Sequence, residues 1–428
     1  MDSLHPLPSS LAETFALLQE AVAGTVSPGG DGPAAPAAVV HAATGDDVIE
    51  AVRAARAARL TVAVRSTGDR REPAAGALVI ELGALREVRV DPAAGTATVG
   101  AGATWADVAA ATTPYGLAPV PGEWAHRSAV SDTLGGGMGW LARRHGLACD
   151  HVVRYRLVTP DGLEIDVSAD AHHEVRWALS GTGAGWLGVV TEIEIDLHPT
   201  RPATGGWLRY PAERAGEVLE RWRTWTADAR PELTTSVVVE AGQVTVHACW
   251  VGAPAIAAGL VDEWFGWRAP TAAAWGARVP GDFDALNPAG LGGPTPDESM
   301  TNDWCNTLRD EVLGEVCSAV AGGGAAAVEV RLGGAATRTH SGAAANGHGR
   351  RDQFLITLAG LSRPSREVRA PLSRWVTGAA FFGRLDLAER AARSADAFGP
   401  AAAGRLLAVK HALDPDHRFR HGLLLDPG

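Results

Sequence analysis

The chain has 428 residues, of which 46% are hydrophobic and 20% are charged, and its formal net charge is −11. This length predicts two domains, and the composition is ordinary for a globular protein. The acidic balance argues against a nucleic-acid partner, because phosphate binding needs a basic surface, and no apolar run reaches the length of a membrane span.

Strands and helices alternate in the first half of the chain. Thr44 or Asp46 is placed to cap the helix that follows the first strand of this half, and a Pro-Asp-Gly turn at residues 160–162 indicates a hairpin. We predict helices at 11–23, 44–58 and 105–111, and strands at 38–41, 60–65, 77–82, 88–90, 96–99, 152–158, 163–167 and 188–197.

The pattern changes after about residue 200, where short strands and helices rich in tryptophan follow one another. This predicts a second α+β domain, an antiparallel sheet with helices on one face. Asp297, Glu298 and Asp303 form an acidic group, interpreted as the N-terminus of a helix that begins at Asp303, although it could instead orient a cation-forming substrate. We predict strands at 237–239, 244–250 and 327–332, and helices at 255–265, 303–321 and 399–419.

The cysteines and the first residues bear on where the protein resides. Four widely spaced cysteines without a C-x-x-C pair are typical of a reduced cytosolic protein. Residues 1–23 include acidic residues and lack the pattern of a signal peptide, so we expect a cytoplasmic protein. The single lysine, Lys410, and the many alanines and glycines are typical of a GC-rich, bacterial coding sequence.

Several glycine motifs occur in a fixed order. Residues 134–150 read L-G-G-G-M-G-W-L-A-R-R-H-G-L-A-C-D, and they lie between G-A-G-A-T-W at 100–105 and G-T-G-A-G at 181–185. From about residue 39 to 199, and again in the tail K-H-A-L-D-P-D-H-R-F-R-H at 410–421, the chain resembles the FAD-linked oxidases of the vanillyl-alcohol oxidase and p-cresol methylhydroxylase (PCMH) superfamily. The berberine-bridge-enzyme-like branch is the most similar one.

This resemblance implies a two-domain α+β fold of the PCMH type, a flavin-binding domain plus an antiparallel-sheet substrate domain. It divides the chain into an N-terminal helix and linker (1–36), an FAD-binding-type domain (37–200), a substrate domain (201–395) and a segment that returns to the first domain (396–428). It also implies the cofactor-binding residues Ser66, Thr67, Gly68, Asp69, Arg70, Gly135, Gly136, Gly137, Gly188 and Val190.

The loop that holds the flavin pyrophosphate in this family departs from the family pattern. The family reads V-R-S-G-G-H, and residues 64–69 read V-R-S-T-G-D. Asp69 therefore replaces the histidine that bonds covalently to the flavin, and it brings a negative charge near the two phosphates. Arg70 and Arg71 could neutralise that charge, or one of them could pair with Asp69 in an empty loop.

The second attachment point and the catalytic base depart as well. The family segment G-T-C-P-T-V-G corresponds to G-E-W-A-H-R-S at 122–128, so Trp124 replaces the cysteine that bonds to the flavin ring. The indole either stacks on a noncovalent flavin or fills the space of a lost one. The tyrosine base near the C-terminus has no counterpart, and the closing N-Q-N reads H-G-L at 421–423. Ser131 and Asp132 also replace the glycine and the apolar residue that usually precede the glycine triplet of the family. FAD is thus expected to be noncovalent if present, and it could be absent.

Three functions from different classes remain open. The first is a biosynthetic enzyme of secondary metabolism that cyclises or rearranges a large apolar small molecule without net redox change, in the former flavin pocket. The second is a noncovalent FAD-dependent oxidase or dehydrogenase, and the third is a catalytically inactive binding homologue. We favour the first, because the losses are concentrated on the flavin residues. No metal site is predicted, and the site residues of the first reading are Trp124, His126, Arg127 and Asp132.

Overall fold

The computed structural model describes residues 10–69, 74–278, 283–287, 299–339, 344–423 and 425. The helices are α1 (Leu11–Ala21), α2 (Gly45–Ala57), α3 (Trp105–Thr112), α4 (Ala129–Leu134), α5 (Ala142–His145), α6 (His173–Leu179), α7 (Ala215–Trp225), α8 (Pro254–Trp267), α9 (Asp310–Ala321), α10 (Ala336–Thr339), α11 (Ser365–Arg369) and α12 (Leu387–Leu413). In the described part of the chain, no helix is long and apolar enough to cross a membrane.

The strands follow in chain order. They are β1 (Thr25–Pro28), β2 (Ala38–His41), β3 (Val62–Arg65), β4 (Leu78–Glu81), β5 (Val88–Asp91), β6 (Thr96–Gly100), β7 (Leu117–Ala118), β8 (Val152–Val158), β9 (Glu164–Ser168), β10 (Val189–Asp196), β11 (His198–Pro199), β12 (Ala203–Pro211), β13 (Leu233–Glu240), β14 (Gln243–Val251), β15 (Ala272–Arg278), β16 (Met300–Cys305), β17 (Ala325–Leu332) and β18 (Phe354–Leu361). The fold is α+β, as predicted.

Among the described residues, two larger sheets and the antiparallel pair of β7 and β11 build the first half of the chain. A four-stranded sheet has the order β1-β2-β4-β3, with β2, β4 and β3 parallel, and a five-stranded antiparallel sheet has the order β5-β6-β10-β8-β9. Helix α2 links two of the parallel strands. Thr44 caps it as predicted, because its hydroxyl accepts from the Asp47 amide while the Asp47 carboxylate accepts from the Thr44 amide. The predicted hairpin of β8 and β9 is confirmed.

A seven-stranded antiparallel sheet, in the order β15-β12-β14-β13-β17-β18-β16, builds most of the second half. Helices α7 and α9 cover one face, and that face carries apolar side chains such as Val237, Val246 and Val330. Because side chains alternate between the faces of a strand, the neighbouring residues Ser236, His247 and Arg331 point to the opposite face, towards the first half. The predicted antiparallel sheet with helices on one face is therefore confirmed.

The predicted helix at 303–321 is wrong in its first part. Asp303 lies in strand β16, and the helix begins only at Asp310. Asp303 is not at a helix N-terminus, because it lies in β16, where its carboxylate pairs with Arg369 and Arg393. Asp297 and Glu298 lie outside the described residues. The sequence pattern around Asp303 predicts the start of a helix, but in the structure two arginines distant in the sequence neutralise its charge.

The long helix near the C-terminus differs from the predicted one at both ends. Helix α12 begins at Leu387, where Asp386 caps it, and ends at Leu413. The helix is interrupted inside these bounds, because Arg393 and Gly399 have non-helical backbone angles, Gly399 with a φ of 73°, and the predicted start at residue 399 coincides with the kink before Pro400. The last turn of the helix and the tail after it pack on the first half: Lys410 Nζ donates to the Trp186 carbonyl oxygen at 2.5 Å, and the Val62 amide donates to the Arg418 carbonyl oxygen at 2.9 Å.

Candidate active site

A cleft of about 140 Å³ lies between the loops of the first half and the seven-stranded sheet, and residues 421–423 form part of its wall. We call it the cleft. Its walls are rich in charge and in large apolar side chains. The charged residues are Arg65, Asp69, Glu123, Arg127, Asp132, Arg384 and Arg390, and the large apolar ones are Trp124, Met138, Met300, Phe381 and Phe382.

Asp69 lies on the cleft wall at the end of the loop after β3. Its carboxylate accepts hydrogen bonds from the Ser66 amide at 2.8 Å and from the Ser131 hydroxyl at 2.6 Å. Desolvation by the surrounding protein raises the pKa of Asp69, although both hydrogen bonds and the charges of Arg127 and Arg390 oppose that rise. The predicted partners Arg70 and Arg71 lie outside the described residues.

Asp132 lies one helical position beyond Ser131, in α4, and also lines the cleft. Its carboxylate accepts from the Trp105 indole N–H at 2.9 Å. Gly122 is required beside it, because a side-chain Cβ at that position would approach the Asp132 oxygen to 1.4 Å. Desolvation raises the pKa of Asp132, against the lowering effect of Arg127 and of the indole hydrogen bond. Asp132 therefore favours its neutral, proton-bearing form more than an ordinary aspartate does.

The loop that carries Trp124 is fixed to the second half of the chain. The Ala125 amide donates to the Asp284 carboxylate at 2.7 Å, and the Asn287 side-chain amide donates to the Glu123 carbonyl oxygen at 2.5 Å. Trp124 is buried and lines the cleft. His126 is exposed, lies 3.8 Å from Asp284 and is not part of the cleft wall.

Four charged side chains, all buried or nearly buried, form a network of ion pairs between the two halves of the chain. Arg384 pairs with Glu123 and with Glu329, and Arg331 donates to the same Glu123 carboxylate at 2.9 Å. Burial disfavours the ionised form of Glu329, but the guanidinium groups of Arg384 and Arg331 prevail and lower its pKa to about 2. The Arg331 guanidinium also lies over the Trp140 ring, 4.8 Å from its centroid.

Two glycines of the glycine-rich loops, Gly136 and Gly183, lie close to side chains of the second half. A Cβ on Gly136 would lie 2.6 Å from the Asn346 side chain and 3.1 Å from the Phe381 ring, and one on Gly183 would lie 3.0 Å from the Phe382 ring. These glycines are therefore needed for close packing between the two halves. Phe381 and Phe382 cover the loops that face the flavin in the family which the sequence resembles.

The predicted cofactor residues occupy different places. Gly68, Asp69, Gly135 and Gly137 line the cleft, whereas Gly136 lies behind the wall. The Ser66 and Thr67 hydroxyls donate to the carbonyl oxygens of Ala101 and Gly102, at 2.5 and 2.7 Å, so both side chains brace the loop. Gly188 and Val190 are buried in and beside β10, away from the cleft wall. Arg70 lies outside the described residues.

Two features of the site were not predicted from the sequence. The partnership of Asp69 with Ser131 joins residues 62 positions apart, and the pairing of Glu123 with Arg384 joins residues 261 positions apart. The contact of Asp69 with Ser131 could have been suspected from the sequence, because both residues depart from the family pattern. No sequence signal marked the second.

A group of histidines lies outside the cleft. His198 is 3.2 Å from His151, and its ring packs against that of His145, with ring centroids 4.6 Å apart. Burial, with the neighbouring positive charges, lowers the pKa of His145 to about 4. Within the described ranges, no group of three or more histidine, cysteine or acidic side chains is arranged to hold a metal ion.

The comparisons with known proteins agree with this architecture. Residues 36–168 match a family model described as an FAD binding domain. The chain is 27% identical to (R)-6-hydroxynicotine oxidase of Paenarthrobacter nicotinovorans, over 92% of this chain and 91% of that protein. It is 35% identical to the FAD-dependent monooxygenase FUP4 of Fusarium proliferatum, but that match covers 41% of this chain and only 35% of the relative.

Solved structures share the fold over almost the whole chain. BBE-like 1 of Physcomitrella patens superposes with a TM-score of 0.83 at 18% identity, covering 96% of this chain and 98% of that one. 6-Hydroxy-D-nicotine oxidase of Arthrobacter nicotinovorans superposes with a TM-score of 0.79 at 23% identity, covering 98% and 97%. At such identities the likeness concerns the fold.

The cleft does not fit FAD as it stands. Its volume of about 140 Å³ lies below the range of roughly 300–1,000 Å³ found for pockets that hold drug-sized ligands, and FAD is larger than these. The amide of Ser66 and the hydroxyl of Ser131, which face the loop, already donate to Asp69. Trp124, Phe381 and Phe382 occupy wall positions beside the glycine loops.

Proposed function

We propose that this chain, which carries the FAD-binding domain and the fold of the FAD-linked oxidoreductases, catalyses a redox-neutral cyclisation or rearrangement in the cleft, with Asp132 as the proton donor. The observation that carries this proposal is the Asp132 carboxyl, which lines the cleft while the surrounding protein disfavours its ionised form. A general acid needs such a group within reach of the substrate.

The surroundings of Asp132 suit proton transfer. The Trp105 N–H holds one carboxyl oxygen at 2.9 Å, which fixes the orientation of the group. Arg127 lies near and stabilises the carboxylate that forms once the proton has left. That carboxylate takes a proton back as the product forms, so that the acid is regenerated and substrate and product have the same mass. Trp124 forms an apolar part of the same wall and would exclude water from a bound substrate. A positioned acid of this kind typically contributes about 10²–10⁴-fold to the rate.

The substrate that we propose is smaller and more polar than the large apolar molecule suggested by the tryptophan content. Trp225, Trp264 and Trp267 pack against one another, with ring centroids 5.5 and 5.7 Å apart along the series. They lie with Trp222 on the helix-covered face of the large sheet and not in the cleft. The cleft wall instead presents arginines and carboxyls, which select polar groups on a ligand.

A metabolite-conversion experiment tests this function. The purified chain is incubated with a metabolite extract of its source organism, and masses are compared before and after, together with oxygen uptake. We expect one compound to be replaced by an isomer of unchanged mass, without oxygen uptake, and we expect Asp132→Asn to abolish the change. If no compound is replaced by an isomer of the same mass, the proposal fails.

A second candidate is a noncovalent FAD-dependent oxidoreductase of a small secondary metabolite. The 27% identity with (R)-6-hydroxynicotine oxidase over 92% of the chain, together with the match of residues 36–168 to an FAD binding domain, favours it. In that case, Gly68, Gly135 and Gly137 would hold the flavin after the cleft had widened, and the flavin would supply hydride acceptance. The same experiment separates the two candidates: an oxidase product is lighter by two hydrogen atoms and appears together with hydrogen peroxide.

A further inference from the structure

We infer that Asp69 is an internal anion which occupies the phosphate-binding loop, so that the loop accepts a phosphate or pyrophosphate group only when that carboxyl is neutral or removed. This assignment concerns binding, and it does not depend on which reaction the cleft performs.

The geometry of the loop carries the assignment. The Ser66 amide, 2.8 Å from one Asp69 oxygen, and the Ser131 hydroxyl, 2.6 Å from the other, are the kinds of donor that bind phosphate oxygens. Both are used by the carboxylate. The loop itself is rigid, because the Thr67 hydroxyl and the Thr67 carbonyl oxygen are both bonded, to Gly102 and to Ser128. A phosphate would therefore have to displace the carboxylate from its donors.

The pairing of two departures from the family pattern supports the same conclusion. Asp69 stands where the family has its flavin-linked histidine, and Ser131 stands where it has a glycine. The structure joins these two positions by a hydrogen bond across 62 residues. If the two positions had changed independently, a hydrogen-bond donor at one and an acceptor at the other would not be expected to lie in contact. Instead, the Asp69 carboxylate takes the place in the loop that the phosphate of a bound ligand would occupy.

The charges around Asp69 define the chemistry of the ligand. Arg127 from the loop before α4 and Arg390 from α12 act on the carboxylate as positive charges, and the Asp132 carboxyl is the neighbouring acid. Among the described residues, Arg65 also lines this part of the cleft. A ligand that shares the loop with an ionised Asp69 is repelled by it, whereas the same arginines attract the ligand once the carboxyl is neutral.

The test measures the binding of FAD and of inorganic pyrophosphate to the full chain by calorimetry. The variants are Asp69→Asn, which keeps the shape and removes the charge, Asp69→Gly, and Asp132→Asn as the matched control in the same cleft. At pH 8 we expect Asp69→Asn to bind pyrophosphate about tenfold more tightly than the wild type, a factor equivalent to about 1.4 kcal/mol. We expect Asp132→Asn to change the affinity much less.

The pH dependence gives a second readout. The ratio of the Asp69→Asn affinity to the wild-type affinity should fall towards one as the pH falls and Asp69 becomes protonated, because the protonation of pyrophosphate itself affects both proteins alike. Equal affinities of the wild type and both Asp69 variants for pyrophosphate would overturn the inference. So would wild-type protein that purifies with stoichiometric FAD at neutral pH. Pyrophosphate binding without FAD binding supports it, because the rest of the cleft is too small for the dinucleotide.

Discussion

Two groups of carboxyl side chains lie within the same molecule and behave in opposite ways. Glu329 is sealed in the large sheet beside Arg384 and Arg331, and those cations hold its pKa well below the ordinary value. Asp69 and Asp132 line the cleft, take their hydrogen bonds from neutral donors, and have raised pKa values. The difference lies in the partners and not in the type of residue.

This contrast distinguishes carboxylates that stabilise the fold from carboxyl groups that can bind a ligand or exchange a proton with it. Glu329 and Glu123 are paired with guanidinium groups and join the two halves of the chain, and the lowered pKa of Glu329 keeps that side chain ionised near neutral pH. A carboxyl held by an indole N–H or a serine hydroxyl keeps a proton more readily and faces the cleft. We therefore expect changes in the first group to alter stability, and changes in the second to alter binding and catalysis.

The largest effect is expected from removing the shared cation. Arg384→Met leaves Glu123 without one of its partners and Glu329 without its direct one, so we expect the free energy of unfolding to fall by about 3–5 kcal/mol. Denaturant unfolding followed by circular dichroism measures it. The matched control is Arg89→Met, which removes the exposed pairs with Glu87 and Glu192 and should cost no more than about 1 kcal/mol. Equal losses in both variants would contradict the contrast.

The fall in the free energy of unfolding at low pH should arise from the network of ion pairs around Glu329. Because the folded-state pKa of Glu329 is lowered to about 2, its contribution is present above the unfolded-state value near 4.5 and is lost as the pH falls towards 2. We expect a loss on the order of 2–3 kcal/mol across that window. Glu329→Gln should be less stable at pH 6 and should lack this part of the profile. An unchanged fall at low pH in the variant would show that other groups produce it.

The cleft acids should affect the profile with the opposite sign. The raised pKa of Asp132 means that the folded state binds more protons than the unfolded state, so stability falls as the pH rises through the folded-state pKa. The expected loss is about 1.4 kcal/mol for every pH unit by which the folded-state pKa exceeds the unfolded one. Asp132→Asn should remove this slope above pH 4. If the slope of the variant equals that of the wild type, Asp132 is not the group responsible.

The smallest effect is expected at the indole that orients Asp132. Trp105→Phe keeps most of the buried ring and removes the hydrogen bond, so we expect a loss of about 1 kcal/mol in unfolding free energy. Because the indole bond stabilises the carboxylate, its removal should raise the pKa of Asp132 further. The readout is the same pH profile, displaced to higher pH in the variant. A displacement to lower pH would contradict the assigned hydrogen bond.

The sequence predicts the parts of the fold that depend on neighbouring residues. The hairpin of β8 and β9 and the cap at Thr44 are local signals, and both are confirmed. Asp303 is misread because its partners, Arg369 and Arg393, are 66 and 90 residues away. The ion network is likewise invisible in the sequence, since only the closure of the large sheet over the cleft brings its members together.

The candidate site divides in the same way. Trp124, Arg127 and Asp132 were predicted from their departures from the family pattern, and they line the cleft together. His126 belongs to the same segment but points away, because Asp284 of the second half lies beside it. The residues on the opposite wall decide which side chains of a loop face the cleft. Those residues are distant in the sequence, so a local motif gives no information about them.

The central claim is that Asp132 is a proton-bearing acid on the wall of the cleft. Infrared difference titration of the wild type against Asp132→Asn measures its protonation directly, because only the neutral carboxyl gives the carboxylic C=O band. We predict a band that belongs to Asp132 and persists above the ordinary aspartate pKa of about 3.9. A band that is lost at or below that value would show Asp132 to be an ordinary carboxylate and would contradict the account.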